Sequence, residues 1–339
     1  MRKNILATKK ISSIATAIII IFVLFISCKN KSYEDNHEVI YGEKRDDNKI
    51  NIAVTIYPLK AILDEIVGDK INIAVVLPVG ASPHTFEPKP SDLKKISDSQ
   101  ILFYVSENLD AWSLKLSPDD NKNQNKQKLI STLEMVDDNL LLESDIQCTE
   151  HNHKNEEHKK NKHVHTKIDP HFWLSPKVVK SILPKLIKII SQLDSNNSKY
   201  YKANGINFSK QLDSIISSVK NIISFDKANS NNLKIFTFHN SFAYFINDFD
   251  LIYGGSIQEY SNKESGTKYV ADITSKVKQA GVKSIFTEPQ LNPKSAEIIS
   301  NELGINLFLL DPIGGNDKNK TYKQLIINNA KTIYEALAN

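Results

Sequence analysis

Six of the nine histidines fall between His151 and His171, a 21-residue span whose other positions are mostly Lys, Asn and Glu. Imidazole is the most general ligand for borderline cations such as zinc, and a short His-rich tract reads as metal-binding. His151/His153 and His163/His165 form two His-x-His pairs with His158 between them, an arrangement suited to weak accessory chelation that raises local zinc concentration or senses excess. A solvated loop is the plainer reading, since the segment cannot bury enough to fold. Cys148 borders the tract, where it could add a thiolate or be an unpaired buried thiol.

The remaining histidines gain interest from position. His239 directly follows the apolar run Lys234 to Phe238, and Asp311 follows Asn306 to Leu310, so each sits at the carboxyl end of an expected strand. That edge is where ligands bind in open parallel sheets. His84 lies in a proline-rich loop, Pro78 to Pro90, and His171 lies in Asp169-Pro-His-Phe-Trp-Leu-Ser-Pro176. Proline stiffens a loop, which suits a preorganised ligand. Each also has a duller reading: a hydrogen-bonded histidine, or for Asp311-Pro312 and Glu288-Pro289 a turn or helix cap. Co-occurrence of four metal-competent side chains favours a site.

The elements that would position them alternate. Apolar strand-length runs at Ile52 to Tyr57, Ile71 to Leu77 and Ile101 to Val105 are separated by helical patterns at Leu59 to Val67 and Pro90 to Ser97. Residues 176–229 carry no strand signal, and Leu212, Ile215, Ile216, Val219, Ile222 and Ile223 recur at helical spacing in a long helix starting near Asn196 to Ser198. Alternation then resumes to the end, with helices at Ser241 to Asp248, Thr267 to Ala280, Pro293 to Leu303 and Thr321 to Ala338. The expected fold is α/β, two lobes with parallel-type sheets and flanking helices, bridged by one long rigid α-helix.

The N-terminus addresses the compartment. Arg2, Lys3, Lys9 and Lys10 precede an apolar stretch, Ile11 to Ile26, that stops at Ser27-Cys28, the pattern of an export signal. A retained membrane anchor is the alternative. Leu24-Phe25-Ile26-Ser27-Cys28 resembles the lipobox of bacterial lipoproteins, in which the cysteine is acylated, so Cys28 is the expected lipidation site and the chain is expected on a periplasmic or extracytoplasmic face. Loss of residues 1–27 takes the formal charge from +4 to zero, leaving 39 basic against 39 acidic residues. That balance removes the electrostatic basis for nucleic-acid binding. The expected organisation is signal 1–27, tether 28–49, N-terminal lobe 50–175 with the His-rich loop 149–168, helical section 176–231 and C-terminal lobe 232–339.

Six segments together resemble a known family: Pro83 to Asp92, Asn108-Leu-Asp-Ala-Trp112, Asp169 to Pro176, Phe238 to Phe245, Thr287-Glu-Pro-Gln290 and Leu310-Asp-Pro-Ile-Gly-Gly315. They are similar, in order and spacing, to the zinc-binding (ZnuA-type) solute-binding lipoproteins of bacterial metal ABC importers, cluster A-I. The resemblance implies metal ligands His84, His171, His239 and Asp311, with Glu87 or Glu288 as possible supplements. It also implies a monomer that delivers Zn(II) to an ABC permease and its ATPase, bound to the membrane through its lipid, and that is not an enzyme. His239, where manganese binders carry glutamate, points to zinc, because imidazole suits zinc and carboxylates suit manganese. Manganese or broad divalent-metal binding, and a surface adhesin, are the alternatives within the family. A zinc hydrolase is the competing class, opposed by Asp311 in the fourth position and by the lack of a His-Glu-x-x-His segment.

Overall fold

A computed structural model describes residues 48–116, 127–144, 168–224, 234–258 and 267–338. The expected signal, Cys28, the tether, Cys148 and the five tract histidines His151, His153, His158, His163 and His165 lie outside the described residues. Among those described, no helix is long and apolar enough to cross a membrane.

Four short strands build the first sheet: β1 Ile50–Val54, β2 Ile71–Val75, β3 Ile101–Tyr104 and β4 Lys128–Ser131. All pair in parallel in the order β2-β1-β3-β4. Helix α1, Tyr57–Val67, links the first two strands; Pro58 opens it, with a ring already set for helical φ and no N–H to lose. Helix α2, Pro90–Ile96, and the short α3, Glu107–Asp110, flank β3. The strand reading of Ile52 to Tyr57 overran, because Pro58 draws Tyr57 into the helix. β4 escaped the sequence reading altogether, having only Leu129 and Ile130 as apolar residues among four.

The helical section is a pair, α4 Pro176–Leu193 and α5 Ser198–Ile222. At the turn between them Asp194 Oδ2 accepts from Asn197 Nδ2 at 2.7 Å and from the Tyr201 hydroxyl at 2.6 Å. Helix α5 has 25 residues, roughly 37 Å of axis at 1.5 Å per residue. Its buried stripe, Tyr201, Gly205, Phe208, Leu212, Ile215 and Val219, alternates steps of four and three and so stays on one face. Gly205 lies directly against the Ile187 side chain of α4, where a Cβ would collide.

The second lobe repeats the first: β5 Lys234–His239, β6 Ile252–Gln258, β7 Ser284–Thr287 and β8 Asn306–Leu309, parallel, in the order β6-β5-β7-β8. Helices α6 Ala243–Asp248, α7 Thr267–Ala280, α8 Lys294–Leu303 and α9 Tyr322–Ala338 complete it. The architecture is the expected one, two α/β lobes bridged by the long helix. Helix α5 bonds the first lobe through Asn204 Nδ2 to Ile66 O (3.0 Å) and meets the second through Phe208, whose ring stands edge-on to Tyr322 at 6.0 Å. One hydrophobic core runs from the first sheet through both long helices to Phe242, Phe245, Phe286, Leu310 and Tyr322 of the second lobe. A smaller cluster around Phe236, Phe238, Ile273 and Ile299 fills the far side of that lobe.

Candidate metal centre

Both sheets reverse strand order next to their first strand, β1 in one and β5 in the other, and such switch points open a crevice at the carboxyl ends of the strands. His239 ends β5, and Glu288 follows β7, the neighbour across the switch. His84 arrives from the loop after β2. Trp112 holds that loop, donating Nε1–H to Pro83 O at 2.8 Å and packing edge-on against Phe86. His171 arrives from the segment before α4. Ser175 caps that helix, accepting from Val178 N at 3.0 Å and donating to the buried Asp248.

The three imidazoles converge. His84, His171 and His239 offer ligand nitrogens that all lie within 4.8 Å of one another, and their ring centroids are 4.9–5.6 Å apart. A tetrahedral zinc shell with bonds of about 2.0–2.1 Å needs nitrogens roughly 3.4 Å apart, so modest closure suffices.

Two of the rings are oriented by carboxylates. Asp169 Oδ1 accepts from both the backbone N–H and Nδ1 of His171, each at 2.8 Å. Glu288 Oε1 faces His239 Nδ1 at 3.2 Å and accepts from Ser241 Oγ at 2.8 Å. A carboxylate beside Nδ1 keeps the proton there and turns Nε2, with its lone pair, toward a cation. His239 and Glu288 are 7% and 5% exposed and Asp169 is 2% exposed, so water barely weakens these bonds. Tyr244 of α6 braces the arrangement across the lobes, its hydroxyl donating to Asp169 O and accepting from Leu142 N, both at 3.1 Å. His84 has no such partner, and its Nε2 is buried without a hydrogen bond among the described residues. Burial, and then the neighbouring His239 and His171, hold the His84 pKa well below 6.5, so the ring is neutral and able to ligate at pH 7. Burial also pulls His239 down, but the charge and hydrogen bond of Glu288, aided by Asp169, outweigh it and raise its pKa.

Asp311 is not brought into this group. Its Oδ1 accepts from Ile313 N (3.1 Å), Gly314 N (2.8 Å) and Gln290 Nε2 (3.2 Å), and its Oδ2 from Asn316 Nδ2 (2.6 Å) and Asn319 Nδ2 (2.9 Å). The turn that follows, with Gly314 and Gly315 at φ of 71° and 81°, wraps four donors around it, and Gln290 adds a fifth from the segment after β7. Glu87 is exposed and does not line the cavity, whereas Glu288 does. Asp169 is the residue the sequence reading passed over; its signal is an acid two positions before a candidate ligand, the spacing of an Asx turn.

The cavity is about 10 Å³ and is lined by the three histidines with Pro83, Glu288, Gln290 and Ile313 among others. That is room for about one water-sized particle, which fits an ion and not an organic ligand.

The model of the family described as zinc-uptake complex component A, periplasmic (ZnuA), matches residues 52–336. The chain belongs to the ZnuA family. The metal ABC transporter substrate-binding lipoprotein of Lactococcus lactis subsp. lactis is 28% identical to it, covering 99% of this chain and 98% of the relative. The zinc-binding protein AdcA of Streptococcus pyogenes serotype M3 is 26% identical over 275 residues, which make up 79% of this chain and 51% of AdcA. The chain thus spans about half the length of the AdcA relatives it matches. A crystal structure of ZnuA superposes with a TM-score of 0.68 at 26% identity, covering 86% of this chain and all of that one. That ZnuA structure shares the two-lobed α/β fold described above.

Proposed function

We propose that this ZnuA-family chain is the zinc-binding component of an ABC importer, which captures Zn(II) between its lobes and delivers it to a membrane permease coupled to an ATPase. The observation that carries this reading is the convergence of three imidazoles, two of them buried and aimed by carboxylates, in an ion-sized cleft between lobes. Neutral nitrogens without a carboxylate in the converging set favour zinc over manganese, which prefers oxygen. His84, His171 and His239 are the proposed ligands, with Asp169 and Glu288 as their orienting partners. Asp311 in this reading shapes the loop beside the site. The chain acts by binding and release, as the names of its relatives suggest, and among the described residues the one acid lining the cleft, Glu288, is engaged by His239 and Ser241. It works as a monomer held at an extracytoplasmic membrane face by lipid on Cys28. Names of relatives, a metal ABC transporter substrate-binding lipoprotein and a zinc-binding protein, support the same reading.

The test is metal content and competition titration on protein starting at Lys29 with residues 150–166 deleted, so that the tract contributes nothing. One tightly held zinc that His239→Ala abolishes is the expected result. No tight ion without the tract would overturn the cleft as the primary site.

A further inference from the structure

Gln290 lies just after Glu288 and lines the cleft that holds the three histidines. Its Nε2 donates to Asp311 Oδ1 at 3.2 Å. An ionised carboxylate only accepts, so this bond fixes the amide: the NH₂ end faces Asp311 and the carbonyl faces away. The carbonyl Oε1 is buried and meets no donor among the described residues. Buried acceptors are rarely left so, since the lost hydration is not repaid. Asp311 cannot release the amide at little cost, because its four other donors hold the carboxylate in place.

A donor can arrive with the cargo. Three histidine nitrogens occupy three positions of a tetrahedral shell, and water in the fourth carries hydrogens made acidic by the cation. We propose that Gln290 is a positioning residue whose Oε1 accepts a hydrogen bond from the water completing the shell of zinc on His84, His171 and His239, with Asp311 fixing the amide for that task. This rests on the zinc reading above. It also gives the site a preference among fourth ligands: an anion such as azide has no hydrogen for Oε1 and meets its lone pairs instead.

The experiment uses the full-length chain in detergent, with Co(II) as a visible probe in wild type, Gln290→Met and His239→Ala, the last supplying the background of the His-rich tract. Gln290→Met is expected to bind zinc about 10–100-fold more weakly, the usual loss for an outer-shell partner. Its Co(II) bands shift, and azide binds the Co(II) form about tenfold more tightly, the equivalent of one charge-assisted hydrogen bond no longer defending the water. Circular dichroism of the metal-free variant checks its folding. If Gln290→Met does not fold, Gln290→Leu, which likewise lacks the carbonyl, takes its place in the same comparison, and a folded variant whose azide affinity matches that of the wild type overturns the proposal. Unchanged bands and azide response in a folded Gln290→Met, with or without weaker zinc, also overturn it by reducing Gln290 to a structural role. Wild-type Co(II) bands no stronger than those of His239→Ala would instead sink the zinc reading itself, and this inference with it.

Discussion

Each lobe pairs a side chain at the end of its first strand with a carboxylate from the segment after the neighbouring strand, and the two lobes use that pair differently. In the first, Thr55 just beyond β1 donates to Asp110, which follows β3 and also accepts from Val105 N and Ser106 N at 2.9 Å. In the second, His239 at the end of β5 faces Glu288, which follows β7. Asp110 is sealed in, 0% exposed, with all its bonds to its own lobe, and is a strut. Exchanging the hydroxyl for an imidazole leaves a second ring nitrogen pointing outward, and that nitrogen turns the strut into half of a binding site. The topology offers the crevice twice; side-chain chemistry decides which switch point supplies a ligand nitrogen to the site between the lobes.

The sharpest break between the two comes from truncating each pair. His239→Ala is expected to weaken zinc binding well beyond the roughly 10–100-fold that an outer-shell loss costs, while leaving the fold intact. Asp110→Ala is expected to leave zinc affinity unchanged in whatever protein folds and to lower stability by about 2–4 kcal/mol, since it strands Thr55 and two buried N–H groups. Chelator competition and urea unfolding on both variants read the contrast. Zinc loss in Asp110→Ala would mean that the first switch point also serves the site.

A pH series sharpens it next. Burial raises the Asp110 pKa from 3.8 to about 6, against the opposing bonds from Thr55, Val105 and Ser106. The folded protein therefore holds this proton more tightly than the unfolded chain. Its contribution is fully present below pH 4 and is lost as pH rises through 6, a swing of roughly 3 kcal/mol. Unfolding of metal-free wild type against Asp110→Asn, which does not titrate there, should show the wild type gaining relative stability from pH 7 to pH 4. A pH-independent difference would mean that Asp110 ionises normally. Glu288→Gln has the smaller effect on the other side: about tenfold weaker zinc, near the low end for an outer-shell change because an amide oxygen still accepts from Ser241.

Much of this was legible in the chain because periodicity and turn residues report on local structure. The eight-element alternation of the second lobe follows from apolar spacing, and the start of α5 at Ser198 agrees with the one placed near Asn196 to Ser198. The three histidines were legible from their places at a strand end and in proline-bound loops. Asp311 shows what spacing alone does not give. It follows β8 as expected, and Gly314, Asn316 and Asn319 donate to it, contacts that only the folded turn brings there. Asp169 was illegible as an orienting group for the converse reason, since its value lies in a 2.8 Å contact that an Asp-Pro-His string does not reveal.

The smallest expected effect concerns motion between the lobes. The two halves of the site sit on different sheets, which invites a hinge that closes around zinc. The interior argues otherwise: one hydrophobic core spans both lobes through α4 and α5, and Trp173 of the first half donates to Pro312 O of the second at 2.8 Å while Tyr322 donates back to Trp173 O at 2.9 Å. Tyr57 likewise reaches from α1 to Lys320 O at 2.7 Å. Opening the lobes would expose that core and break these bonds, whereas bringing nitrogens now within 4.8 Å to the roughly 3.4 Å of a zinc shell needs only side-chain and loop adjustment. Solution scattering with and without zinc should give the same radius of gyration within error. A marked compaction would show that the shared core yields, and that the lobes move as separate bodies despite it.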